Sequence, residues 1–354
     1  MLKYIFGYLA FYISLSALTI EEKVGQILMC PIHGDVITNP IEKLIQETHL
    51  GGVILYNWSN GLTSFDKIRT FNKRLQETAL KTSGIPLFIA IDEEGGRVER
   101  LGVPFASAST IGNKEASYSS YEAGKQIGSL LHLLYINVNL APVVDINSNS
   151  ENTVIGNRSF GSDPKLVATC AEEFAKGLLD CHVLPCFKHF PGHGDVSVDS
   201  HVKMPVSFKI LDGLLEIELI PYLQNIDLPP FIMTAHILFP NIDPNHPATL
   251  SKIILTDILR KKLQYKGIIL SDSLTMAAVL SKNLTEIAIE AFNAGNDILL
   301  IGGNTLLKNF PLNTEPMIRN LHKELVEAVK DGRILAERLN ESVDRILTLK
   351  ATLQ

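Results

Sequence analysis

Short apolar runs with few polar positions inside them recur along the chain, and amphipathic stretches separate most of them. A strand covered on both faces has no polar face, so these runs predict a parallel sheet with helices outside it. The predicted strands are Gln26–Met29, Gly52–Tyr56, Pro86–Ile91, Val138–Asp145, Pro185–Phe190, Phe231–Ala235, Gly267–Leu270 and Asp297–Ile301. The intervening helices include Phe65–Thr82, Tyr121–Leu134, Lys165–Asp180, Lys252–Gln264 and Leu284–Ala294.

Eight such strands in one chain predict a closed (β/α)₈ barrel, the TIM barrel. A doubly wound open sheet is the alternative, but no GxGxxG sequence follows an early strand. Ionisable residues recur where the runs end, and a barrel gathers the C-terminal ends of its strands on one face. The pattern therefore predicts a functional site on that face, with these residues at it: Asp92, Asp145, Lys188, His189, His236 and Asp272.

The segment Lys188–His201 is the most unusual in the chain. His189 and His193 have a spacing that suits a metal on a helix, but the Pro-Gly pair between them rules out a helix, and no HExxH sequence is present. A glycine-rich turn without catalytic function is a second interpretation. In the third, His201 exchanges a proton near neutral pH and Asp199 orients its ring, which predicts an acid–base loop.

Two further segments carry candidate chemistry. Asp272 follows a predicted strand, where a carboxylate suits a nucleophile or a metal ligand, although it could equally cap the next helix. The segment Asp92–Arg100 contains paired glycines that let the backbone pass close to a ligand, flanked by an acidic acceptor and a planar donor. The alternative for this segment is a solvated loop with internal ion pairs.

Composition narrows the class of protein. The formal charge of −6 argues against a nucleic-acid partner, and 46% hydrophobic content excludes a largely disordered chain. The four cysteines are too few for a disulfide scaffold, although they leave open a single bridge. Residues 1–17 combine one lysine, an apolar stretch and small residues, which predicts a signal peptide; a buried first element of a cytoplasmic protein is the alternative.

Taken together, the motifs resemble those of the single-domain β-N-acetylhexosaminidases of glycoside hydrolase family 3. The block from Lys188 to His201 is highly specific to this subgroup, whereas any other matching stretch alone is weak. The matches occur in the family's order: Asp92–Arg100, Ala141–Asp145, Ile155–Gly161, Lys188–His201, Met233–His236 and Ser271–Met276.

The resemblance implies a retaining glycosidase on a TIM barrel, with Asp272 as nucleophile, His201 as general acid/base and Asp199 as its dyad partner. It implies these ligands of a terminal N-acetylglucosamine: Asp92, Arg100, Arg158, Lys188 and His189. Asp145 and His236 match positions with a supporting role. Glu93 and Asn157 depart from the family, which often has Gln and Asp there.

From these observations we expect residues 1–17 to be a leader and residues 18–354 to form one catalytic domain. The expected substrate is a small carbohydrate, especially a peptidoglycan (muropeptide) fragment, and we expect no metal, cofactor or stable membrane span. We also expect a monomer, exported to the periplasm or cell envelope. Three alternatives remain: a β-glucosidase of the same family, which usually takes its acid/base from a second domain, a non-catalytic sugar-binding protein, and a metal-dependent hydrolase.

Overall fold

The computed structural model of the protein describes residues 17–196, 203–279, 283–302 and 314–353. Asp199, His201 and all of the predicted leader except Ala17 lie outside these ranges. The strands are β1 (Leu28–Pro31), β2 (Gly52–Ile54), β3 (Phe88–Ile91), β4 (Val138–Asn139), β5 (Leu184–Phe190), β6 (Phe231–Thr234), β7 (Leu238–Phe239), β8 (Asp243–Pro247), β9 (Ile268–Leu270) and β10 (Leu299–Leu300).

Helices connect most of the strands. They are α1 (Ile20–Gln26), α2 (Asn39–Thr48), α3 (Asn57–Asn60), α4 (Phe65–Ser83), α5 (Ala108–Gly112), α6 (Ser120–Leu133), α7 (Pro164–Leu179), α8 (Leu211–Glu216), α9 (Ile220–Gln224), α10 (Leu284–Ala294), α11 (Thr314–Lys330) and α12 (Ala336–Lys350). Short 3₁₀ turns occur at Gly156–Arg158 and Ala248–Leu250, and a π-helix spans Ile253–Lys262. Over the described ranges, no helix combines the length and the apolar character needed to cross a membrane.

The sheet contains eight parallel strands in the spatial order β10-β1-β2-β3-β4-β5-β6-β9. A parallel bridge between Leu270 and Ile298 joins the two ends of this sheet, so the sheet closes into a barrel. β7 and β8 form a separate antiparallel pair. The predicted (β/α)₈ barrel is confirmed, and each of the eight predicted apolar runs contains part of one barrel strand.

Three local predictions need correction or completion. The run Val138–Asp145 is a strand only at its first two residues, because Pro142 has no N–H for the ladder; pairing resumes as a single bridge from Val143 to Lys188. The predicted helix Lys252–Gln264 is π-helical over most of its length. The β7–β8 hairpin was not predicted, and all four cysteines are unpaired.

A buried ionic cluster fixes the strands at the end of the barrel opposite the predicted site. Asp297 is fully buried, and its carboxylate accepts hydrogen bonds from Arg260 at 2.6 Å and Arg345 at 2.8 Å. The same carboxylate accepts the backbone N–H of Ile269 in β9 at 3.0 Å. Because β9 leads directly to Asp272, this cluster helps to hold the strand that carries the predicted nucleophile.

Candidate active site

A cavity of about 230 Å³ lies where the C-terminal ends of the barrel strands meet. Its lining includes these predicted nucleophile and sugar-binding residues: Asp92, Arg100, Arg158, Lys188, His189 and Asp272. Asp145 and His236, for which a supporting role was expected, are not part of the lining. These residues come from positions spread over 181 residues of sequence, from 92 to 272, so the barrel brings them together.

Strand ends position most of these side chains. Asp92 directly follows β3, Lys188 and His189 lie near the end of β5, and Asp272 is the second residue after β9. In a parallel barrel all of these ends lie on one face. Arg158 reaches the same cavity from the 3₁₀ turn between β4 and α7.

Arg100 is carried by a tight loop after β3. Gly95 has a φ of 85°, and a Cβ at this position would lie 2.3 Å from the carbonyl oxygen of Ala106, so the turn requires glycine. The buried Glu93 carboxylate holds the far side of the loop by accepting the backbone N–H groups of Arg100 at 2.8 Å and Leu101 at 3.2 Å. The loop path is therefore set before any ligand binds.

A buried charge network forms one wall of the cavity. Lys188 Nζ lies 2.8 Å from Asp92 Oδ1 and 2.6 Å from Glu94 Oε1, and Arg158 makes a bidentate pair with Glu94 at 2.8 and 2.9 Å. Burial opposes ionisation of Glu94, but the charges of Arg158 and Lys188 outweigh it and hold the pKa of this carboxyl well below its ordinary value. Burial likewise opposes the charge on Lys188, whose pKa is nevertheless raised by Asp92 and Glu94. The network presents fixed donors and acceptors, which suits a ligand rich in hydroxyl groups.

Sequence reasoning missed Glu94. The residue lies inside the predicted Asp92–Arg100 motif, but four acidic residues crowd that motif and the sequence does not show which of them turns inward. Its position between a lysine and an arginine from two distant segments could be found only in the folded chain.

Asp145 organises the residues around the end of β5. It is buried, and it accepts hydrogen bonds from His189 Nδ1 at 2.7 Å and from the backbone N–H of His193 at 2.6 Å. Burial opposes its charge, but the neighbouring histidines hold the pKa of Asp145 below its ordinary value. Since Asp145 takes the Nδ1 side of the ring, Nε2 of His189 is directed to Arg158, at 3.5 Å. The supporting role expected for Asp145 thus has a physical basis.

His193 lines the same cavity, and both of its ring nitrogens are buried without a hydrogen-bond partner among the described residues. Burial, followed by the nearby His189, lowers the pKa of His193 to about 4. The ring is therefore neutral at pH 7.

Asp272 lies on a loop held by hydrogen bonds from two sides. Its Oδ1 accepts the backbone N–H of Ser273 at 2.7 Å, and its own N–H donates to Thr234 Oγ1 at 3.4 Å. His236 contacts the carbonyl oxygen of Ser273 at 2.9 Å and Thr249 Oγ1 at 2.9 Å, so it supports the Asp272 loop from β6. The carboxylate remains half-buried at the cavity.

The metal interpretation of His189 and His193 finds no support in the geometry. Within the described ranges, no group of three or more His, Cys, Asp or Glu side chains is arranged to hold a metal ion. The Nδ1 atom of His189 is occupied by Asp145, and the two rings meet edge to face with centroids 5.7 Å apart.

The barrel and its charged cavity agree with the resemblance to glycoside hydrolase family 3. Residues 19–349 match the glycosyl hydrolase family 3 N-terminal domain, and the chain belongs to this family.

Several proteins of known name or structure are similar to this chain. The chain is 35% identical over 339 residues to β-hexosaminidase A of Pseudoalteromonas piscicida, covering 88% of this chain and 55% of that protein. It is 31% identical over 342 residues to β-hexosaminidase LpqI of Mycobacterium tuberculosis, covering 93% and 82%. Among solved structures, a family 3 β-N-acetylglucosaminidase from Paenibacillus sp. superposes with a TM-score of 0.88 at 36% identity, covering 95% of this chain and 63% of that one. The chain thus spans little more than half the length of some relatives and most of the length of others.

Proposed function

We propose that the protein is a retaining β-N-acetylhexosaminidase that removes terminal β-linked N-acetylglucosamine. The supporting observation is the position of Asp272 in one cavity with Asp92, Arg100, Lys188 and His189. A cavity of about 230 Å³ is smaller than the roughly 300 Å³ at which ordinary ligand pockets begin, so it suits one sugar ring. This size favours attack on a terminal residue, and the Paenibacillus structure, described as a β-N-acetylglucosaminidase, favours N-acetylglucosamine as the sugar.

In the proposed first step, a carboxylate oxygen of Asp272 forms a bond to the anomeric carbon. The bond from that carbon to the leaving oxygen breaks, and the leaving oxygen takes a proton from His201, whose ring Asp199 orients. In the second step, His201 takes a proton from water, the water oxygen attacks the anomeric carbon, and the bond to Asp272 breaks. A His–Asp pair here takes the part that a second carboxylic acid has in most retaining glycosidases.

The proposed ligands act before the chemistry. Asp92 accepts hydrogen bonds from sugar hydroxyls, while Lys188, Arg158 and Arg100 donate to sugar oxygens. The ion pairs of Lys188 with Asp92 and Glu94, and that of Arg158 with Glu94, hold these side chains in position, so little ordering is needed when the sugar binds.

A trapping experiment tests the nucleophile. A 5-fluoro glycosyl fluoride of N-acetylglucosamine should label the enzyme, and mass mapping should place the label on Asp272. Asp272→Asn should remain unlabelled, whereas Asp257→Asn, which alters a half-exposed aspartate of the π-helix, should label like wild type. A label on any other residue, or none with an active enzyme, would refute the assignment.

A substrate comparison tests the sugar. We expect the aryl β-N-acetylglucosaminide to be hydrolysed with a higher kcat/KM than the aryl β-glucoside. Faster cleavage of the glucoside would make the protein a β-glucosidase of the same family, and loss of activity on chelation would favour a metal-dependent hydrolase.

We also propose that the physiological substrate is a muropeptide fragment and that the protein is an exported monomer lacking residues 1–17 when mature. The lysine, apolar stretch and small residues within residues 1–17 support export. N-terminal sequencing of the protein from its own cells tests the leader, and retention of Met1 in the cytoplasm would refute it. Hydrolysis of N-acetylglucosaminyl-anhydro-N-acetylmuramic acid tests the substrate, and sedimentation analysis tests the monomer.

A further inference from the structure

The only tryptophan of the chain lies beside the cavity. Trp58 is 39% exposed, although large aromatic side chains are usually mostly buried. Its ring stacks on Tyr56 with centroids 5.3 Å apart and planes inclined by 21°. The ring of His33 lies at 63° to the indole, with the two centroids also 5.3 Å apart. The indole is therefore a supported, partly exposed aromatic surface.

Tyr56 connects this surface to the cavity. It follows β2 by two residues and lines the cavity together with Asp92 and Asp272. Trp58 does not itself line the cavity, but it stacks on Tyr56, so the indole lies one aromatic ring away from a sugar that occupies the cavity.

The short helix α3 holds Trp58 in place. Asn60 accepts the backbone N–H of Tyr56 at 3.0 Å through its side-chain oxygen, and its side-chain nitrogen donates to the carbonyl groups of Ile32 at 2.7 Å and Gly34 at 2.9 Å. Asn60 thereby ties the loop of Trp58 to the loop of His33. A rigid aromatic surface loses little entropy on binding.

We propose that Trp58, supported by Tyr56, binds the second sugar ring of an oligosaccharide whose terminal residue occupies the cavity. This inference rests on the proposed function and specifies its substrate class: a glycoside whose leaving group is itself a sugar. The cavity has room for one ring, so a second ring must lie at its edge. The C–H face of a pyranose is apolar, and it packs on an exposed aromatic ring.

The size of the effect follows from the exposed surface. If burial of an aromatic side chain covers about 150 Å² or more, the exposed 39% of Trp58 offers roughly 60 Å² to a ligand. At the usual free energy per unit of apolar area, this contact corresponds to about a tenfold change in affinity.

Kinetics on two substrates test whether Trp58 binds the second sugar ring. Trp58→Ala should lower kcat/KM about tenfold on the β-1,4-linked disaccharide of N-acetylglucosamine, mainly through KM. The same variant should stay within twofold of wild type on trifluoroethyl β-N-acetylglucosaminide, whose leaving group has no ring. Trp58→Phe should recover most of the disaccharide activity. Equal losses on both substrates, or no loss on the disaccharide, would overturn the proposal.

Tyr135 offers a matched control. It is equally exposed, at 40%, and it precedes β4, so it lies at the opposite end of the barrel. Tyr135→Asn suits the left-handed φ of 57° at this position and should leave both substrates unaffected.

Tryptophan fluorescence tests whether the second sugar ring binds at Trp58. The measurement needs no catalysis and leaves Trp58 itself unaltered. In Asp272→Asn, titration with the disaccharide should change the emission of the single tryptophan, and methyl β-N-acetylglucosaminide should change it much less at saturation. Equal fluorescence responses to the two ligands would overturn the proposal that Trp58 binds the second sugar ring. A wild-type protein that hydrolyses neither substrate would instead refute the proposed function. The fluorescence result would still decide whether Trp58 binds the second sugar ring.

Discussion

Replacing Glu93 by glutamine tests how the loop behind the active site responds to pH. Glu93 is fully buried, one of its oxygens accepts the N–H groups of Arg100 and Leu101, and the other oxygen has no partner among the described residues. Burial, with a contribution from the charge of Glu99, raises the pKa of Glu93 to about 7, against 4.5 for the unperturbed group. The backbone N–H groups and the charge of Arg100 act in the opposite direction.

The sign of the effect on stability follows from proton binding. Below about pH 4.5 the carboxyl is protonated in both the folded and the unfolded chain, and the stabilisation is fully present. Between pH 4.5 and 7 the folded chain keeps the proton that the unfolded chain loses, so the free energy of unfolding decreases as pH rises. The rise of the Glu93 pKa from 4.5 to about 7 corresponds to a decrease of about 3 kcal/mol in the free energy of unfolding by pH 8.

Glutamine keeps the acceptor oxygen and cannot ionise. We therefore expect Glu93→Gln to match wild type near pH 4.5 and to exceed its free energy of unfolding by about 3 kcal/mol at pH 8. Urea denaturation of both proteins at several pH values measures the difference, and the other carboxyl groups cancel because both proteins share them. A difference that stays constant from pH 5 to 8, or a less stable variant at pH 8, would refute the reasoning.

Three further substitutions test the framework of the site. Arg158→Lys loses the bidentate pair with Glu94, and we expect KM for an aryl β-N-acetylglucosaminide to rise about tenfold; an unchanged KM contradicts this. Asp297→Ala leaves partly buried arginines uncompensated and should lower the free energy of unfolding by about 3 kcal/mol in urea denaturation, whereas a loss below about 1 kcal/mol counts against a structural cluster. Gly194→Ala would place a Cβ 1.7 Å from a backbone carbonyl oxygen, so we expect the free energy of unfolding to fall by about 1–3 kcal/mol. Gly213→Ala, where a Cβ would meet open space, should stay close to wild type.

The pattern of apolar residues was sufficient to predict the eight-stranded barrel. Helix α10 begins and ends where the sequence predicted, and Thr19 and Glu22 form a capping box at the start of α1. These features depend on local periodicity and on short-range hydrogen bonds, which the order of residues specifies directly. The predicted strand Val138–Asp145 was too long because apolar character does not reveal where pairing stops.

The position of residues at strand ends also allowed much of the cavity to be predicted. Asp92, Lys188 and Asp272 meet because every strand of a parallel barrel ends on the same face. This rule needs only the strand boundaries. The roles assigned to His201 and Asp199 stay predictions, since both residues lie outside the described ranges.

The sequence by itself determined the barrel and the face on which its polar residues gather. The tertiary structure alone decided that Glu94 joins Lys188 to Arg158, that Asp145 orients His189, and that Trp58 stacks beside the cavity. The physical reason is that each of these contacts joins side chains whose directions depend on loop paths. Those paths are set by packing between segments far apart in the chain, which no local pattern of residues records.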